Sequence, residues 1–143
     1  MIKTIIPILA LTITLTSCAD PSAGSGVPTF FNDVITFSAG GGYTAAIKEN
    51  GELWAWGRNC EGQLGDGTYN AYYEGKSSPV KIGNKWKGVS AGGTSDSSFS
   101  SDGYTVATKI DGVLWAWGNN QYGRLGDGTI TGRSVPKRVI SGW

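Results

Sequence analysis

Gly51–Thr68 reads GELWAWGRNCEGQLGDGT, and Gly112–Thr129 reads GVLWAWGNNQYGRLGDGT. The two stretches agree at 13 of 18 positions with a constant offset of 61, so Trp54 answers Trp115 and Asp66 answers Asp127. A match of that length marks an array of repeats, and one repeat cannot bury its apolar face alone.

The parallel extends outward from this core. Ser38-Ala39-Gly40-Gly41 aligns with Ser90-Ala91-Gly92-Gly93, and Tyr43–Lys48 with Tyr104–Lys109. Pro79–Ile82 answers Pro136–Val139, while Thr94–Asp102 and the stretch between Thr68 and Pro79 differ in length between the units. Asn50-Gly51 and Asp111-Gly112 are strong hairpin signals, and both residues of a type I′ turn take positive φ. They sit between strand-like runs, Thr44–Lys48 before Leu53–Trp56 and Thr105–Lys109 before Leu114–Trp117. With 23 glycines, five prolines and no sustained 3.6-residue period, the repeats are all-β.

Alternation along Leu53–Gly57 puts Trp54 and Trp56 on one face, with Leu53 and Ala55 on the other. Both faces are apolar, so the strand is expected to be covered on both sides. Radially stacked sheets supply that setting: two indoles fill one gap while Ala and Gly let the next backbone approach.

At this point a resemblance becomes specific. Gly-x-Leu-Trp-Ala-Trp-Gly-x-Asn-x-x-Gly-x-Leu-Gly-Asp-Gly-Thr, followed by Pro and a short strand, resembles the repeat of the regulator of chromosome condensation family, over roughly Asp33–Trp143. The resemblance implies blades of a β-propeller, here about two, with Phe30–Trp86 as the first repeat and Lys87–Trp143 as the second plus the start of a third. A closed propeller takes at least about four blades, so this is an incomplete ring. A fragment of a longer propeller is the first expectation; two standing blades or a homo-oligomeric ring of copies are the others. The family also implies recognition scaffolds whose loops engage other macromolecules.

Outside the repeats, Met1–Ser17 reads as an export signal, with Lys3 ahead of the apolar run Ile5–Leu15. Leu15-Thr16-Ser17-Cys18 resembles a bacterial lipobox, so Cys18 is expected to carry lipid and to anchor the chain to a membrane of the cell envelope. Cys18–Thr29, rich in Gly, Ser and Pro, reads as a flexible tether. Removing Lys3 with the leader leaves basic and acidic residues equal in number, and no basic run exceeds two residues. Nucleic acid, which is bound mainly through phosphate neutralisation, is therefore not an expected partner. Cys60 is left without a disulfide partner, and the second unit has Gln121 in its place.

The chemistry is sparse. There is no histidine, which removes the commonest general base and the Ser–His and Cys–His nucleophile pairs. No catalytic residue, metal site or cofactor is expected. Ser78-Pro79-Val80-Lys81 and Ser134-Val135-Pro136-Lys137 have a Ser-x-x-Lys spacing, but an extended chain separates the two groups by about 10 Å. Gly40-Gly41-Gly42 lacks the following helix that a phosphate cradle requires. One carboxylate in Leu64–Thr68 is a poor calcium loop, and Asp66 is better read as bonding nearby amides. Glu49, Glu52, Glu61 and Glu74 single out no glycosidase pair, which leaves an exported carbohydrate-active or other hydrolytic enzyme as the alternative. The better candidates are Tyr69, Tyr72 and Tyr73, in an insertion that the second unit lacks, because tyrosine gives contact area and a hydroxyl at low entropy cost. The expectation is a non-enzymatic, surface-anchored module binding a protein or polysaccharide.

Overall fold

A computed structural model describes residues 33–94 and 102–139. The leader, Cys18, the tether, most of the loop after Thr94 and Trp143 lie outside the described residues.

Eight strands form two four-stranded sheets. In the first, β1 (Val34–Gly40), β2 (Tyr43–Lys48), β3 (Leu53–Arg58) and β4 (Gly75–Gly83) pair in chain order; in the second, β5 (Trp86–Gly92), β6 (Tyr104–Lys109), β7 (Leu114–Gly118) and β8 (Arg133–Arg138) do the same. Every pairing is antiparallel. The central registers are equivalent, with Ala45 opposite Ala55 and Thr44 opposite Trp56 in one sheet, Val106 opposite Ala116 and Thr105 opposite Trp117 in the other.

The hairpins differ from the turn expected of Asn-Gly and Asp-Gly. Gly51 and Gly112 have φ of 78° and 82°, but Asn50 and Asp111 do not take positive φ. The Gly51 N–H donates to Lys48 O (2.8 Å) and the Lys48 N–H to Glu52 O (2.9 Å), which closes a three-residue loop ending in a glycine bulge. Asn50 Oδ1 accepts from the Glu52 N–H, and Asp111 Oδ1 from the Val113 N–H, each at 3.0 Å. That side-chain bond fixes Asn or Asp at the position and leaves the left-handed residue to glycine alone.

The sheets meet through β1 and β2 against β5, so they converge at their first strands. Ala45, Ile47, Leu53 and Ala55 of the first sheet and Leu64 of its β3–β4 loop pack with Trp86, Ala107 and Trp117 of the second sheet, and Trp115 packs against this cluster. The indole face of the second sheet thus fills the gap over the Leu-Ala face of the first, as the alternation requires. Two details depart from expectation. Trp86 is a third indole in the gap, with its ring centre 5.7 Å from that of Trp117 and 6.3 Å from that of Trp115. Coverage also differs between the two sheets: Leu53 is fully buried, whereas Leu114, its counterpart, is 36% exposed on the outward face of the second sheet.

Candidate functional site

Antiparallel order puts the β1–β2 turn and the β3–β4 loop at one end of the first sheet, and the β5–β6 and β7–β8 loops at the same end of the second. This loop-bearing rim carries the stretch between Thr68 and Pro79 that differs between the repeats, together with Thr94 and Asp102, the described ends of the other.

Its base is a hydrogen-bond network built by the repeated motif. Asn59 Oδ1 accepts from the Leu64 N–H (3.0 Å), while its Nδ2 donates to Thr68 O (3.0 Å), Thr68 Oγ1 (3.1 Å) and Asp66 Oδ1 (3.3 Å). Asp66 Oδ1 also accepts from the Thr68 N–H and hydroxyl. Asn120, Asp127 and Thr129 repeat the pattern, with the Leu125 N–H on Asn120 Oδ1. The second carboxylate oxygen of each Asp meets a cation: Lys76 at 2.9 Å from Asp66, and Arg133, through two nitrogens at 2.8 and 2.9 Å, from Asp127. The Thr129 hydroxyl, with Arg133 behind it, outweighs partial desolvation and lowers the Asp127 pKa to about 2. Burial opposes ionisation of Asp66, but Lys76 and Thr68 prevail and its pKa is also lowered. In both loops the carboxylate organises its own turn.

The first loop also reaches the neighbouring sheet. Gln63 O accepts from Trp117 Nε1 (2.9 Å) and from Thr105 Oγ1 (2.7 Å), and Trp117 is only 1% exposed. Gly65, at φ 83°, lies flat on that indole: a Cβ there would stand 2.5 Å from Trp117 Nε1. The glycine is needed for this close approach as well as for its backbone angle. Tyr43 completes the seam, donating to Tyr104 O and standing 2.9 Å from Thr105 Oγ1. Burial, opposed by the Thr105 contact, pushes its phenol up to about 12.

Above this base lies a cleft of about 410 Å³ lined by Arg58, Tyr72, Tyr73, Glu74 and Lys76 with neighbouring glycines. The Arg58 guanidinium lies 3.9 Å from the centre of the Tyr72 ring, and Tyr72 meets Tyr73 edge-on at 4.9 Å. The stacked tyrosine raises the Arg58 pKa by hydrogen bonding. Tyr73 is 84% exposed, presenting its ring to solvent. Tyr69 does not join this group. It is 58% exposed with one ring edge beside Gly62. Two of the three tyrosines are therefore brought together. Arg58 was not singled out from the sequence; its signal is that the second unit has Asn119 at the equivalent position.

The second sheet carries a related cluster. Arg124 lies 5.3 Å from the ring centres of both Tyr104 and Tyr122, and its Nη1 donates to Asp102 O and Oδ2 at 3.0 and 3.1 Å. Asp102 Oδ1 accepts from the Thr94 N–H at 2.7 Å, which ties the two ends of the β5–β6 loop together. The Thr94 amide leads the contacts, Arg124 among them, that lower the Asp102 pKa.

The remaining motifs stay apart. Ser78 and Lys81 lie along β4, Ser134 and Lys137 along β8. Gly41 and Gly42 form the β1–β2 turn. Glu52, at the opposite end of the sheet, binds Lys81 and accepts from Trp54 Nε1 (3.1 Å), while Glu61 accepts from Asn119 Nδ2 (3.0 Å). Cys60 is a half-buried free thiol. Among the described residues no three of Asp, Glu, Cys or His gather as a metal cluster.

Two four-stranded meanders that converge on their first strands and interlock through an indole layer are adjacent blades of a β-propeller. The chain belongs to the regulator of chromosome condensation (RCC1) repeat family, whose models match residues 34–63, 50–95 and 111–142. It is similar to the ultraviolet-B receptor UVR8 of Arabidopsis thaliana, 38% identical over 108 residues covering 73% of this chain and 22% of the receptor. It is also 34% identical over 110 residues to the human E3 ubiquitin-protein ligase HERC2, covering 74% of this chain and 2% of the ligase. Among solved structures, human WBSCR16 superposes with a TM-score of 0.61 at 28% identity, over 79% of this chain and 27% of that one. Prp20p of Saccharomyces cerevisiae, described with its binding to Gsp1p and histones, gives 0.61 at 22% identity, over 78% and 26%. The chain thus spans about a quarter or less of each of these relatives.

Proposed function

We propose that this chain is a non-enzymatic, surface-anchored binding module whose loop-bearing rim recognises a protein or polysaccharide ligand. The observation that carries this reading is the cleft of Arg58, Tyr72 and Tyr73, which stands on the rim where the two repeats differ. Tyrosine and arginine are the residue types that concentrate binding energy at interfaces. Glu52 and Glu61, at the two ends of the sheet, are engaged by Lys81, Trp54 and Asn119, an arrangement suited to scaffold rather than acid–base work.

Anchoring rests on the sequence. Met1–Ser17 is the leader, Cys18 the acylated residue, and Cys18–Thr29 the tether that holds the repeats off the bilayer of a bacterial envelope. Fatty-acid labelling of the whole chain is expected to mark the wild type and to fail for Cys18→Ser.

The binding reading is tested with envelope fractions stripped either of protein or of polysaccharide, using wild type and a Tyr72→Ala/Tyr73→Ala variant. Retention on one fraction with a loss of about tenfold or more in the variant is expected. Equal retention of both proteins overturns the cleft as the site. Release of sugar from the polysaccharide, abolished by Glu61→Gln or Glu74→Gln, overturns the non-enzymatic reading.

A further inference from the structure

Taking the acylated Cys18 of the proposed function as given, we propose that the end of the molecule opposite the rim docks onto the anionic headgroups of the same bilayer. The cleft then faces away from the membrane. β1 enters its sheet at this basal end, where Asp33 O accepts from the Glu49 N–H (2.7 Å) in the β2–β3 turn. Cys18 lies fifteen residues ahead of Asp33, a contour of about 50 Å at most. The anchor is therefore joined to the base of the blades and not to their rim.

The two ends differ in how their charges are used. At the rim, Lys76, Arg124 and Arg133 are each paired with an aspartate. At the base of the first sheet, Lys48 pairs with Asp33 and Lys81 with Glu52. The base of the second sheet and the link leading into it are different. Lys85, Lys87, Lys137 and Arg138 are all exposed there, and none has a carboxylate partner among the described residues. Against these four stand Glu49 and Asp111, and Asp111 Oδ1 is turned onto the Val113 N–H. β5 and β8, which carry Lys87 and Lys137–Arg138, are the two edges of their sheet, about 14 Å apart. Between them the β6–β7 turn presents Ile110, 63% exposed. Exposed cations around an aliphatic side chain suit the headgroup layer of an anionic membrane.

The link that carries Lys85 is pinned between both hairpins. Lys85 O accepts from the Ile110 N–H (2.9 Å), Asn84 O from Lys109 Nζ (2.9 Å), and the Trp86 N–H donates to Gly51 O (3.0 Å). Lys85 has a φ of 64°, the only positive value outside glycine among the described residues. Glycine would take that backbone without strain, so a side chain kept there points to a use for its ammonium.

The test is amine footprinting of the whole acylated chain on vesicles of phosphatidylcholine, with and without about one-third phosphatidylglycerol. Flotation with the neutral vesicles reports the anchor by itself. On the anionic vesicles Lys85, Lys87 and Lys137 are expected to label at least about fivefold more slowly than on the neutral ones, with Lys76 at the rim unchanged. Added salt should erase the protection. Lys85→Gly is expected to keep or raise the melting temperature yet weaken docking about fivefold, read from the label at Lys137. Adding Lys87→Glu should deepen that loss to about 25-fold or more. A chain that floats only with anionic vesicles removes the anchor and leaves the docking standing; one that floats with neither overturns both. Equal labelling on both vesicles, in a chain that floats with both, overturns the docking alone. So does protection that survives Lys85→Gly/Lys87→Glu, or equal protection by a soluble acidic polysaccharide.

Discussion

Leu53 and Leu114 stand in the same five-residue stretch, Leu-Trp-Ala-Trp-Gly, on central strands of equivalent register, yet one is fully buried and the other over a third exposed. Local sequence cannot account for the difference. What separates them is the neighbour: Leu53 faces the indoles of the next sheet, and Leu114 faces outward. The loops tell the opposite story. Asn59 and Asn120 are both buried, and their networks share the bonds to the Leu amide, the Asp and the Thr, with Asn120 adding one to Thr131 O, because every partner lies within a dozen residues. A repeat thus determines its strands and loops by itself, while burial of its faces depends on what stands beside it.

Substitutions at the seam should have the largest effects. Trp117→Ala is expected to cost about 3–5 kcal/mol in urea unfolding, as truncation of a buried aromatic. A loss below about 1 kcal/mol would mean that the indole does not seal the sheets. Gly65→Ala adds a Cβ 2.5 Å from Trp117 Nε1 to an unfavourable φ of 83°, whereas at Gly126 the nearest contact is Val139 at 3.2 Å. Gly65→Ala should therefore lower the melting temperature clearly more than Gly126→Ala, and equal shifts would break the comparison.

The loop networks should respond alike. Asn59→Ala and Asn120→Ala each leave buried backbone groups unmatched, and each is expected to cost about 2–3 kcal/mol. A wide disparity would show the networks to be unequal despite their geometry.

Acid titration sharpens the same point. Asp127 ionises at about 2 in the folded chain against an ordinary value of 3.8, so its contribution is complete above about 4 and is lost as pH falls toward 2. The stability difference between wild type and Asp127→Asn should shrink across that window, and a difference independent of pH would contradict the pairing with Thr129 and Arg133. The smallest effect belongs to the rim. Tyr73→Ala should change stability by no more than about 0.5 kcal/mol.

Most of the architecture was legible because two copies of one motif fix both the strands and their spacing. The turn at Asn50-Gly51 was misread because residue type does not separate a two-residue loop from a three-residue loop ending in a glycine bulge. Trp86 was missed as a core residue because it lies outside the matched stretch, where periodicity gives no face. Gln63 was invisible for a deeper reason: the seam uses its main-chain carbonyl, and a carbonyl leaves no mark on residue identity. At the rim, an insertion rich in tyrosine pointed to Tyr72 and Tyr73 but could not exclude Tyr69, whose separation depends on the fold of the loop.

The most direct test is the unfolding free energy of Leu53→Ala and Leu114→Ala, compared at a protein concentration where the chain is monomeric. The neighbour-dependent account expects Leu53→Ala to cost about 2–5 kcal/mol, and Leu114→Ala to cost less than half as much. Equal losses would show that the repeat itself, rather than the sheet beside it, determines which face is core.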